Sequence, residues 1–158
     1  GFNNVDDPQK ALNECYRVCK AGVQMVFTVN LPGTLIEFYE IFQEILLEQG
    51  MDKGIGKMKD HISRRRKTIE YLKILLTETG FSIRTINMDG FKMKFLDGTA
   101  FFNHYFIRSA FIEPWKSIVP KRSHRKIFNL LETRLNTLAT EHGHLDMSVP
   151  YVCFDCYK

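Results

Sequence analysis

The sequence predicts an α/β fold, and three observations carry that expectation. A helical pattern over residues 8–19 ends at Gly22 and gives way to the short apolar run Val23 to Val29, which is half of an α/β unit. Phe91-Lys92-Met93-Lys94-Phe95 alternates strictly, as a strand with one apolar face does. Lys121 to His142 carries Ile127, Leu130, Leu131, Leu135 and Leu138 on one stripe, the pattern of a long helix with a single buried face.

Asp7-Pro8 is a helix entry, a capping carboxylate followed by proline at the first helical position. Ala11, Leu12, Cys15, Val18 and Cys19 then recur at helical spacing. Val23 to Val29 has the look of a strand buried on both faces. After Asn30-Leu31-Pro32-Gly33, residues Leu35, Phe38, Tyr39, Phe42, Ile45 and Leu46 return to the helical period as far as Gly50. Met51 to Lys59 reads as a polar, glycine-containing mobile loop.

A third helix is expected from about Thr68, with Glu70 in its positive first turn and Ile69, Leu72, Leu75 and Leu76 inward, stopping at Gly80. Phe81 to Thr85 resumes as a strand. Asn87 to Gly90 is a bulge, a bend or a turn, so one strand or two reach Phe95. The aromatic stretch from Asp97 to Pro120 reads as one or two short helices over something apolar. Gly143 ends the long helix, and Leu145 to Tyr157 closes the chain as a strand.

Composition narrows the function classes. With 158 residues, 44% of them hydrophobic and 25% charged, the chain suits one core and one domain, residues 1–158. No apolar run approaches the roughly 20 residues that a bilayer crossing needs, and the expectation is a cytoplasmic protein without a membrane partner. The opening Gly1-Phe2-Asn3-Asn4 lacks an initiator methionine, which fits a cloning remnant or a chain cut from a longer one. A net charge of +4 is modest. Outside Arg64-Arg65-Arg66-Lys67 and Lys121-Arg122 the charges interleave, so nucleic acid is not an expected partner.

Cys15 and Cys19, one helical turn apart, read as small apolar core residues. Cys153 and Cys156 form a C-x-x-C within a strand-like stretch, which puts the thiols on opposite faces rather than on the tight turn of a zinc knuckle. No metal site is expected.

Several ordered features resemble a known family. The succession Asp7-Pro8, Ala11-Leu12, Glu14, Arg17-Val18, Lys20, Gly22, a strand ending Phe27-Thr28, then Gly33-Thr34-Leu35 and Glu37-Phe38 is similar to the post-cofactor half of class I, type 11, S-adenosylmethionine-dependent methyltransferases. In that family the helix carries E-x-x-R-V-L-K-P-G-G. It stands here as Glu14-Cys15-Tyr16-Arg17-Val18-Cys19-Lys20-Ala21-Gly22-Val23, with alanine and valine in place of the proline and second glycine. Glu78-Thr79-Gly80-Phe81 resembles the family's G-F before its sixth strand, and Gly33 to Phe38 is similar to enzymes that methylate a malonyl thioester in biotin synthesis. The resemblance covers Asp6 to about Phe95 and makes residues 97–143 a helical insertion before the last strand.

The resemblance implies the C-terminal half of a Rossmann-like sheet: a three-stranded mixed sheet, its last strand antiparallel and central, with helices on both faces. It implies S-adenosylmethionine as cofactor of the complete enzyme and a small molecule as methyl acceptor. The glycine-rich turn and the ribose-binding acid of the family belong to a first half that has no counterpart here. Gly54-x-Gly56 follows a helix instead of a strand. No cofactor-binding residue is therefore expected, and the chain alone is expected to be inactive. Val23 to Val29 would become an apolar edge, which invites a homodimer or strand exchange.

Candidate binding residues follow from position and chemistry. Asn30, Leu31 and Pro32 stand after a strand's carboxyl end, where open α/β sheets bind ligands, although a plain connecting loop explains them equally. His61, Arg64, Arg65 and Arg66 suit an anionic acceptor, since guanidinium forks match carboxylate and phosphate; a solvated helix entry is the bland alternative. His104 and Tyr105 are candidates for a lid over an apolar substrate, or else partly satisfied core residues. No acid-base constellation stands out, and a sulfonium donor, already activated, needs none in particular; no catalytic residue is assigned. The competing reading is a truncated, non-catalytic relative acting as a binding or dimerisation module.

Overall fold

The computed structural model describes residues 2–158. The order is a 3-10 turn (Phe2–Asn4), α1 (Pro8–Val18), β1 (Gln24–Asn30), α2 (Ile36–Glu48), α3 (Asp52–Arg65), α4 (Ile69–Thr79), β2 (Ser82–Phe95), α5 (Gly98–Asn103), α6 (Tyr105–Ala110), α7 (Ile112–Lys116), a second 3-10 turn (Lys121–Ser123), α8 (His124–His142) and β3 (Leu145–Tyr157). The three strands form one sheet in the order β1-β3-β2. Two compact units share the chain. One takes the described residues up to Thr34 with Ser63–Phe91 and Val149–Lys158, the other Leu35–Ile62 with Lys92–Ser148.

In the first unit β1 runs antiparallel to β3, from Gln24 opposite Tyr157 to Asn30 opposite Tyr151. Arg84 approaches Asp155 at 3.9 Å and Asp89 accepts from the Tyr151 hydroxyl at 3.4 Å. The partner numbers descend as β2 ascends, so β2 also opposes β3 in direction, and β1 and β2 share a direction without touching. Val29, Val152, Phe154 and Cys156 join Leu12 of α1, Leu72, Leu75 and Leu76 of α4, and Phe81 in one apolar cluster. Phe27 stacks on Phe154, its register partner, with ring centroids 5.5 Å apart.

Two expectations fail in this unit. β1 is not buried on both faces: exposed and covered positions alternate along it, and Val26 is 55% exposed. It is an edge strand, and its apolar composition mimics that of a central one. On α1 the buried residue is Leu12, and the stripe continues through half-buried Tyr16 instead of Cys15, which is exposed. The Tyr16 ring meets Phe81 edge-on at 5.0 Å, so the larger apolar side chain takes the inward place. Cys19, just past the helix, is half-buried. Asp7 caps α1 as expected, accepting from Lys10 N at 2.9 Å.

In the second unit the cluster draws on α2, α3, α5 to α8, Phe95, Leu145 and Met147, with Trp115 and Phe38 stacked at 4.0 Å. Met51 to Lys59 is not a loop, since α3 begins at Asp52. Ile55, Met58 and Ile62 recur at helical spacing against the cluster. A Cβ at Gly54 would sit 3.1 Å from Leu46 Cδ2, so α3 lies close against α2 at this glycine. β2 is one strand through Asn87 to Gly90. The aromatic stretch forms three short helices, and the long helix starts at His124.

The buried positions of β3 change parity along its length. Leu145 and Met147 belong to the cluster of the second unit, and Val152, Phe154 and Cys156 to that of the first. No helix among the described residues is long and apolar enough to cross a membrane.

Candidate functional site

At the carboxyl end of β1 the first unit has a cleft of about 370 Å³, lined by Asn3, Asn4, Val5, Asp6, Pro8, Arg64, Arg65 and Lys67. Three elements build it. The 3-10 turn brings Asn3 and Asn4, the entry to α1 brings Asp6 and Pro8, and the end of α3 brings Arg64 and Arg65. Cations in the last turn of a helix lie against its negative pole, which is the local reason for two arginines at that point.

Asn3 fixes the arrangement. Its side-chain amide donates to Asn30 O at 2.8 Å and to Arg65 O at 3.1 Å, while its Oδ1 accepts from Asn30 N at 2.9 Å. The strand end and the arginine-bearing helix end are thereby tied through one residue. Arg65 Nη1 donates to Asn4 Oδ1 at 3.4 Å. Lys67 Nζ reaches Ser63 O at 3.4 Å and stands 5.5 Å from the centre of the Tyr71 ring. Three cations against the one carboxylate of Asp6 give the lining an excess of positive charge, and two forked guanidinium groups suit a carboxylate or phosphate.

Among the expected site residues, Arg64 and Arg65 line this cleft and Asn30 borders it through Asn3. Leu31 and Pro32 are not among its lining residues: Leu31 packs on the apolar cluster, donates to Pro150 O at 2.9 Å, and receives both the backbone N–H and the hydroxyl of Thr34 at its own carbonyl. Pro32 is exposed and Arg66 half-buried. Sequence reasoning missed Asn3, Asn4 and Asp6, because a pair of asparagines near a chain start carries no spacing signal.

The remaining candidates belong to the second unit. His61 is half-buried, its ring centroid 6.4 Å from that of Tyr39. His104 and Tyr105 are not core residues. Both are exposed, Tyr105 at 84%. His104 lies edge-on to Phe95 at 5.4 Å between α5 and α6, and Tyr105 borders a shallow hollow with Asn103, Arg108 and Ser109. A larger opening of about 500 Å³ lies where Gly50 to Lys57 faces Ile118 to Pro120.

Cys156 is buried in the first cluster and Cys153 half-buried beside it in β3. Burial pushes the Cys156 thiol up to about 11. Among the described residues no group of histidine, cysteine and acidic side chains is arranged to hold a metal ion. Gly54 and Gly56 lie inside α3, so they do not form a strand-to-helix turn.

No family model and no curated protein matches the chain. Among solved structures, a protein from Bacillus halodurans provisionally named a methyltransferase is similar at 14% identity with a TM-score of 0.48. The match covers all of this chain and 66% of that one, so the chain spans a little under two thirds of that protein's length.

Proposed function

We propose that this chain is the acceptor-side, C-terminal part of an S-adenosylmethionine-dependent methyltransferase acting on a small molecule, and that the cleft at Arg64, Arg65 and Lys67 receives an anionic group of the acceptor. The observation that carries the reading is the strand order. β3, last in sequence, lies between β1 and β2 and antiparallel to β1, the arrangement that the resemblance implies for the last three strands of that family. The Glu14 to Gly22 pattern runs from the last turns of α1 into the turn before β1, where the family carries it.

The chemistry assigned to this chain is binding and orientation. The sulfonium donor supplies an activated methyl group, and a positioned acceptor is what the protein must add. Arg64 and Arg65 would hold the acceptor's carboxylate or phosphate in a fixed direction, with Asn3 keeping α3 and β1 in register. No step is assigned to the cofactor, whose glycine-rich turn this reading places in an upstream part of the enzyme.

Calorimetric titration with S-adenosylmethionine and S-adenosylhomocysteine tests the reading, on the 158-residue chain and on a protein extended upstream of Gly1. Uptake by the extended protein alone supports it. Uptake by neither removes methyl transfer from consideration, and tight uptake by the short chain refutes the division of labour. The competing reading, a binding or dimerisation module, draws on the edge position of β1.

A further inference from the structure

We infer that the opening of about 500 Å³ between the start of α3 and the Ile118 to Pro120 turn is a second ligand site, and that its ligand is a small organic anion with an apolar tail, of the medium-chain carboxylate kind. The opening lies wholly within the second unit and shares no lining residue with the cleft at Arg64. The inference therefore goes beyond the methyl-transfer reading, which stands or falls on the cofactor titration.

Backbone hydrogen bonds set both walls. After α2, Gly50 takes a φ of 63°, Met51 N returns to Leu46 O at 2.8 Å, and Gly54 N closes onto Met51 O at 2.8 Å. Opposite, Ile118 N bonds to Trp115 O at 3.1 Å, and the His124 ring donates to Val119 O at 3.1 Å. Hollows that hold small molecules run to about 300–1,000 Å³ and are mostly apolar with a few placed polar groups. Here Met51, Ile118, Val119 and Pro120 supply the apolar surface.

Two lysines fix the charge of the ligand. Lys53 and Lys57 stand one turn apart on α3, and both are exposed and line the opening. The helix itself favours neither: Lys53 lies at its positive pole, and like charges four residues apart oppose helix formation. Other cations of this unit have acids against them, Lys116 with Glu113 at 2.7 Å and Arg134 with Glu48 at 2.6 Å. Among the described residues the side chains of Lys53 and Lys57 have no such partner. Asp52, the one carboxylate in the lining, stands in the first turn, where the helix pole attracts it. Lys121 and Arg122, exposed and directly after Pro120, add positive charge beside the opening. Charges set against local preference without a structural return mark functional positions. An inorganic anion would leave the apolar walls unused, and a neutral apolar molecule would leave the lysines unanswered. A carboxylate on an apolar tail meets both.

The test is amide chemical-shift titration of the intact 158-residue chain with octanoate, set beside acetate and octanol. Saturable octanoate shifts are expected at Met51, Gly54 and Val119, with acetate and octanol each at least about tenfold weaker. The Lys53→Gln, Lys57→Gln double variant should lose about tenfold in octanoate affinity, while octanol binding and circular dichroism stay unchanged; this separates lost charge from a lost fold. A protein extended upstream of Gly1 should bind octanoate alike. Any of five results overturns the inference: octanoate shifts that do not saturate, shifts centred on other residues, acetate or octanol binding as tightly as octanoate, a double variant that binds it undiminished, or loss of the site in the extended protein.

Discussion

The indole N–H of Trp115 donates to the Tyr39 hydroxyl at 3.0 Å within the core of the second unit. Trp115 is fully buried and Tyr39 is 7% exposed. Removing the hydroxyl leaves a buried donor without this acceptor, and such orphans cost about 1–3 kcal/mol. Tyr39→Phe is expected to lower the denaturant midpoint accordingly at unchanged slope. A loss under ~0.5 kcal/mol would mean that the indole finds another acceptor.

Asn3 offers a local test. Asn3→Ala removes both bonds to Asn30, each worth about 1 kcal/mol. Faster hydrogen exchange at the Asn30 amide, with Val29 unchanged, is the expected result. Equal acceleration along the whole of β1 would show that the asparagine supports the strand and not only its end.

The basic cleft predicts selective anion binding. The Arg64→Ala, Arg65→Ala double variant should bind malonate at least about tenfold more weakly, a change of about 1.4 kcal/mol, measured by amide chemical-shift titration. Paired replacement by lysine should recover only part of the affinity, because charge returns without the fork. Malonate shifts centred elsewhere, insensitive to these residues, would remove the cleft as the acceptor site.

The cysteines should react in order of access. Cys15 is exposed and Cys156 buried, and desolvation raises the Cys156 thiol from 9.0 to about 11. At neutral pH it therefore stays protonated and inert, and alkylation followed by mass spectrometry should label Cys15 first and Cys156 only on unfolding. A raised thiol favours the folded state fully below 9.0, and that contribution fades as pH climbs through about 11. Stability should fall across that alkaline window, and the fall attributable to this thiol should disappear in Cys156→Ala.

Gly98 marks a contact that only a hydrogen allows. A Cβ there would lie 2.6 Å from Leu135 Cβ and 2.9 Å from Glu132 O, atoms of α8 that cannot rotate away. Gly98→Ala should destabilise by about 1–3 kcal/mol, read as a lower midpoint in urea. A neutral result would mean that α5 shifts without cost.

Most of the elements were legible because their signals are local. Asp7-Pro8, Thr68 and Gly80 mark helix ends by their own chemistry, and each does so in the structure. Long-range relations were not legible. Nothing within Met51 to Lys59 announces that Gly54 has Leu46 against it, so two glycines looked like a loop. Val23 to Val29 is apolar enough for a central strand, and only its neighbours decide that it is an edge. The same limit applies to the cleft. Arg64 and Arg65 were visible as a basic run, but Asn3 and Asp6 join them only through the fold.

β3 changes the parity of its buried residues between Met147 and Val152, and this makes its length unforgiving. Strand pairing usually leaves some room for slippage, because a shift of two residues restores the inward face. Here a shift of one turns Leu145 and Met147 outward in one unit and Val152, Phe154 and Cys156 outward in the other. A shift of two carries one set past the point where the phase changes and sets Phe154 away from Phe27. A strand read in two phases has one admissible alignment, so insertions and deletions in this region should be accepted in the Gly143 turn that precedes β3 and nowhere within it.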